Sequence, residues 1–114
     1  MNGPKFDEGK LRWDLLPPEA VEGVIRAIEY GASKYSERSW EQGISYSRLF
    51  AATMRHLWAF WRGEDIDRES GLLHLDCAAA NIAFLQTFHR RRMQGLDDRP
   101  GSLTIADNDE GERK

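Results

Sequence analysis
The sequence is poor in the residues that staple, bridge or span. It has one cysteine, four prolines and three histidines in 114 residues. A lone cysteine, Cys77, excludes a disulfide framework within the chain. One cysteine and three scattered histidines are also too few for a structural zinc site. There is no basic excess: 16 lysines and arginines face 19 acidic residues, for a net charge of −3. That argues against direct nucleic-acid binding. The one basic run, His89-Arg90-Arg91-Arg92, ends a predicted helix, where it complements the helix dipole. No apolar run is long enough to span a membrane, and the start, MNGPKFDEGK, lacks a signal-peptide core. The expected location is cytoplasmic, with no membrane partner. The sequence has no Walker A loop, no GxGxxG after a strand and no GxSxG elbow. Internal repeats are absent, and strand-like alternation is confined to Leu103-Thr104-Ile105.

What remains reads as all-α. Residues 1–16, with Gly3, Pro4 and Gly9, read as an extended arm. Pro17 and Pro18 end it, and Pro18 suits the first turn of a helix. That helix is predicted from Pro18 to Tyr35, with Val21, Val24, Ile25, Ile28 and Ala32 as one apolar stripe. A connector broken at Gly43 leads to a second helix, Tyr46 to Arg62, with Ser45 or Ser47 as its cap and Gly63 as its stop. Glu69 or Ser70 is expected to open a third, Gly71 to Arg92, apolar on nearly every side. Residues 93–114 read as a mobile tail. Three helices cannot cover such a third helix, so the bundle is expected to be completed by oligomerisation, as a dimer or tetramer.

The chemistry concentrates in RGEDIDRESGLLHLD, residues 62–76, with five carboxylates and a histidine. It can be a solvated loop or a metal site. A calcium loop counted from Asp65 would need Gly at its sixth place and Glu at its twelfth; those places hold Ser70 and Asp76. On the third helix His74, Cys77 and Asn81 share a face, as a structural hydrogen-bond network or a site wall. On the first, Glu19, Glu22, Arg26 and Glu29 share a stripe, as a solvated face or a set of oxygen ligands for Mg²⁺ or Mn²⁺. On the second, His56 lies on an apolar face, with Arg55 and Arg62 as candidate phosphate contacts.

GKLRWDLLPPEAVEGVIRAIEYGASKYSERSWEQG followed by RHLWAFWRGEDIDRESGLLHLDCAAANIAFL resembles the phage family called dATP/dGTP diphosphohydrolase, N-terminal. That family is similar to the all-α MazG-type nucleoside triphosphate pyrophosphohydrolases. Its MazZ members occur in phages whose DNA carries 2-aminoadenine. The resemblance covers about Lys5 to Phe88, so residues 1–92 are expected to form the MazG-like domain. It implies cleavage of dGTP or GTP to the monophosphate and pyrophosphate, with Mg²⁺ or Mn²⁺, in the host cytoplasm. MazG relatives use an E-x-x-E pair and an E-x-x-D pair. Glu19 and Glu22 match the first; the second falls either on Glu64 and Asp67 in the loop or on His74 and Cys77. The resemblance thus implies Glu19, Glu22, Glu64, Asp67 and His74 as metal ligands, with Glu22 or Glu64 as the base. Lys10, Arg12, Lys34 and Arg55 are then expected on the phosphates. Tyr35 or Trp40 is expected on the base, Asn81 at its edge, and His56 within the substrate site. A non-catalytic helical adaptor and a phosphoribosyl-ATP-type pyrophosphohydrolase remain as alternatives.

Overall fold
A computed structural model describes residues 8–101, and all its regular structure is helical. Three α-helices follow a 3-10 turn at Trp13–Leu15: α1 (Pro18–Lys34), α2 (Tyr46–Trp61) and α3 (His74–Arg91). A second 3-10 turn, Ser39–Gln42, lies in the α1–α2 connector. The expected strand at 103–105 lies outside the described residues, as do residues 1–7 and the rest of the tail beyond 101. Among the described residues no helix is long and apolar enough to cross a membrane.

α3 is the central element and packs against both α1 and α2. The core is aromatic. Phe88 is fully buried, Tyr46 and Leu49 join it, and Trp40, Ile44, Phe84, Leu85, Met93 and Leu96 pack around them. Pro18 starts α1 as expected; its fixed φ suits the helix and its missing N–H is one that no helix start bonds. The predicted stripe on α1 is only half used. The buried residue of this helix is Gly23, while Val21 and Ile25 stay exposed. α1 approaches α3 where it has no side chain: a Cβ on Gly23 would overlap the Asp76 carboxylate.

The start of α3 differs from expectation. The helix begins at His74, and Ser70 sits in a turn before it. Asp67 Oδ2 accepts hydrogen bonds from both the Ser70 N–H (2.9 Å) and its hydroxyl (2.7 Å). The loop then closes on itself. Gly71 N–H bonds Asp67 O, Asp67 N–H bonds Leu72 O, and His74 N–H bonds Asp65 O. Helix propensity loses to these local bonds, as it commonly does around Asp and Ser. Within one chain α1 and α2 leave part of α3 uncovered, in line with expectation: Leu75 and Ile82 are each 42 % exposed.

The tail is corrected more substantially, since its first part, residues 93–101, is docked. Ser45 occupies the N-cap of α2 but makes no side-chain bond there. Asp98 does that work from 51 residues away, accepting from the Ser47 N–H (2.8 Å) and its hydroxyl (2.5 Å). Leu96 O accepts from Tyr46 N–H at 2.9 Å. The tail therefore satisfies two of the free N–H groups at the helix start, those of Tyr46 and Ser47. These bonds hold the Asp98 carboxyl below its ordinary range, Ser47's hydroxyl contributing most. A depressed folded-state value stabilises the fold above the unfolded pKa and is lost as pH falls through the folded one. The stability gap between the native chain and Asp98→Asn is expected to be full at neutral pH and to close below about pH 4. Urea titrations across that range read it; a gap that persists in acid would count against the cap.

Candidate functional site
α1 and α2 diverge over α3 and leave a cavity of about 700 Å³. α3 supplies its floor through Cys77, Ala80, Asn81 and Phe84. Ala27, Ile28, Tyr30 and Gly31 of α1 form one wall, and Arg48, Ala51, Ala52, Arg55 and His56 of α2 the other. Tyr35, Arg38 and Trp40 of the connector and Asp67, Glu69 and Ser70 of the 62–73 loop complete the lining. Small residues line the middle, which keeps it open.

At the loop four side chains converge. His74 is 4 % exposed. Its Nε2 lies 2.8 Å from Glu64 Oε2 and its Nδ1 lies 2.9 Å from His56 Nδ1. His56, Asp67 and His74 each offer one ligand atom within 4.8 Å of the others, and they are the group of this kind among the described residues. Burial pushes the His56 imidazole below its ordinary value, against the pull of the Asp67 carboxylate. Burial works to raise the Asp67 carboxyl, but Ser70's hydrogen bonds, with a smaller pull from the two imidazoles, hold it low. The His74 bond holds Glu64 low. At neutral pH the site thus presents a neutral His56 and two carboxylates, the protonation states a cation needs. Burial raises the Cys77 thiol, with Ser70 3.8 Å away, so it is neither an activated nucleophile nor a ready ligand.

The residues expected from the sequence divide clearly. Glu64, Asp67 and His74 are brought together. His56, expected in the substrate site, lines the cavity and also faces His74. Glu19 and Glu22 are exposed on α1 and join neither the cluster nor the cavity wall, so the five expected ligands are not gathered in one place within the described chain. The reasons differ: Glu22 lies about 100° round the helix from Gly23, whereas Glu19 shares the Gly23 face but sits in the first turn, before the cavity lining begins at Ala27. Tyr35, Arg55 and Asn81 line the cavity as expected. Trp40 lines it too, but its ring is stacked on Phe84 (5.5 Å between centroids) with the Arg91 guanidinium 5.2 Å away. It is a wall more than a free stacking surface. Lys10 and Arg12 do not line the cavity, and Arg12 is paired with Asp14 at 2.7 Å. Lys34 binds Glu69 and so ties α1 to the loop at the cavity rim.

Arg48 and Arg38 were not singled out by sequence reasoning, yet both line the cavity. The signal for Arg48 was present. Arg48 and Arg55 are seven apart, two turns on one face of α2, with Ala51 and Ala52 between them. Among the described residues neither has an acidic partner, whereas Arg38 pairs with Glu41 at 3.2 Å.

Known proteins agree with the sequence resemblance. The dATP/dGTP diphosphohydrolase of Salmonella phage PMBT28 is 35 % identical over 105 residues, which cover 92 % of this chain and 36 % of that relative. The chain thus spans about a third of the length of the curated relative it matches. No solved structure matches it. The profile of one family matches residues 1–99, most of the chain. The chain belongs to the dATP/dGTP diphosphohydrolase, N-terminal, family.

Proposed function
We propose that this chain carries the catalytic site of a divalent-cation-dependent (deoxy)nucleoside triphosphate diphosphohydrolase. It would convert dGTP or GTP to the monophosphate and pyrophosphate. The observation that carries the reading is one cavity bordered by a His–His–Asp cluster, with guanidiniums and aromatic rings along its walls. A triphosphate needs cations along its length, and a base needs a flat apolar surface and a few polar atoms at its edge. Arg48 and Arg55 lie roughly 10 Å apart along the α2 axis, at 1.5 Å per residue. That spacing suits contacts at both ends of a phosphate chain. Tyr35, exposed at the rim, is the stronger candidate to stack on the base, with Phe84 and Trp40 behind it. Asn81 on the floor offers its amide to the base edge.

The reaction adds a water oxygen to the α-phosphorus and breaks its bond to the bridging oxygen, so pyrophosphate leaves. A bound divalent cation would acidify that water and neutralise charge on the leaving group. His56, Asp67 and His74 are the residues that would hold it. Glu64, a base candidate from the sequence, bonds His74 Nε2 on the edge of the ring away from His56 and does not line the cavity, so its role here is to orient that imidazole. Arg48 and Arg55 hold the phosphates in line. The guanine preference follows from the MazZ resemblance, and the PMBT28 relative is named for both dATP and dGTP. In a phage whose DNA carries 2-aminoadenine, this step would supply dGMP for the modified base. Incubation of the chain with each dNTP and Mg²⁺ or Mn²⁺, with products resolved by chromatography, tests the reading. Monophosphate plus pyrophosphate supports it. Release of orthophosphate, or no turnover of any triphosphate, overturns it. Arg48→Ala is expected to raise KM for dGTP roughly tenfold, the usual size of a lost charge-assisted hydrogen bond. An unchanged KM would remove Arg48 from the phosphate site.

The active species is proposed to be a homo-oligomer, a dimer or tetramer. Val21 and Ile25 on α1 and Leu75 and Ile82 on α3 are all exposed, on two helices that pack together. Burying such a surface in a second copy recovers about 25 cal/mol per Å². Light scattering at micromolar concentration is expected to give at least twice the chain mass; a stable monomer would exclude it.

A further inference from the structure
The cluster at the loop carries more information than the presence of a cation site. His74 is buried and both its ring nitrogens are engaged. A carboxylate at Nε2 places the N–H there, so Nδ1 presents its lone pair toward His56. The two Nδ1 atoms are 2.9 Å apart. Two metal–nitrogen bonds of about 2.1 Å meeting at a right angle would set their nitrogens ~3.0 Å apart. The spacing therefore accommodates one ion as readily as one shared proton. A shared proton engages only the two imidazoles and leaves Asp67 with its Ser70 bonds alone. The Asp67 carboxylate lies beside both imidazoles without a hydrogen bond to either, and Ser70 holds it there by Oδ2. An ion satisfies all three groups at once. His56 and Asp67 line the cavity, so the positions the protein leaves open face the space a triphosphate would enter.

We infer that His56, His74 and Asp67 form a two-histidine, one-carboxylate cation site that selects first-row transition ions over Mg²⁺, with Glu64 as the outer carboxylate that orients His74. The reason is donor chemistry. Imidazole nitrogen suits iron, nickel, copper and zinc, and among the first-row ions Mn²⁺ binds such a site most weakly, whereas Mg²⁺ is held by oxygen and water. The inference deepens the cation part of the proposed function but does not need a nucleotide. It makes Glu64 a positioning residue, bonded to the edge of His74 away from the cation.

The metal-stripped full chain, titrated with Co²⁺, tests it. One Co²⁺ per chain should bind, with the visible absorption of a nitrogen-containing site. Mn²⁺ should compete, and a large excess of Mg²⁺ should not. Asp67→Asn and His56→Gln should each weaken Co²⁺ binding by on the order of a hundredfold, and Glu64→Gln by roughly tenfold with unchanged stoichiometry. Circular dichroism confirms that each variant keeps its helices. If a variant fails to fold, the native chain still decides: Mn²⁺ should broaden the ring resonances of His56 and His74 and spare His89. A folded chain that binds no Co²⁺, Mg²⁺ that competes as well as Mn²⁺, or broadening that misses His56 and His74 would each overturn the inference. Turnover of dGTP with Mg²⁺ and a silent Co²⁺ titration would remove this selectivity and leave the hydrolase reading standing. Tight Co²⁺ binding without turnover of any triphosphate would do the reverse.

Discussion

Asp67→Asn is expected to lower kcat/KM for dGTP by about a hundredfold or more, since even residues behind a metal ligand are worth 10–100-fold. That corresponds to roughly 2.7 kcal/mol of transition-state stabilisation. The substitution is nearly isosteric. An asparagine carbonyl can still accept from the Ser70 N–H and hydroxyl, so the turn that Asp67 now organises should persist. What is lost is the negative charge beside His56 and His74. Glu22→Gln is the paired control. Glu22 matches the E-x-x-E pattern in sequence but is exposed on α1 and does not line the cavity. An exposed residue away from a site changes free energies by about 0.5 kcal/mol at most, so its effect should stay within roughly twofold. Steady-state kinetics on the two variants decides between two metal sites. Loss of activity in Glu22→Gln with little change in Asp67→Asn would return the site to the α1 stripe.

Leu96→Ala should destabilise the fold by about 2 kcal/mol, the low end for a leucine that is only partly buried. For a domain of this size that lowers the melting midpoint by roughly 8–16 °C. Leu96 packs against the Tyr46–Leu49–Phe88 cluster, and its carbonyl bonds Tyr46 N–H at the start of α2. Its methyls also sit where a Cβ on Gly43 would come within 3.0 Å. Gly43 thus answers two demands at once: a φ of +99° and the close approach of a residue 53 positions later. The consequence reaches the site, because the first turn of α2 positions Arg48 and the same helix carries Arg55 and His56. An unchanged midpoint would mean that residues 93–101 are dispensable, as their composition suggests.

The three helices were legible because apolar periodicity, Pro18 and Gly63 are local signals, and local signals survive in any context. The candidate loop was legible in the same way: five carboxylates and a histidine in fifteen residues. The boundaries that failed did so where a distant or competing bond intervened. Asp67 drew Ser70 out of the helix start, and Asp98 took over the cap that Ser45 or Ser47 was expected to provide.

By itself the sequence determined an all-α chain, the family it belongs to, and the short list of groups able to do phosphate chemistry. It could not determine which of them meet. That depended on the rotation of α1, set by contact through Gly23. It depended also on the crossing of α2 over α3, which brings His56 within 2.9 Å of a histidine eighteen residues away. Spacing along one helix is a property of the chain, whereas a bond between two helices exists only after packing has chosen their faces. Glu22 of α1 and the histidine of α2 exchanged places in the candidate site for that reason.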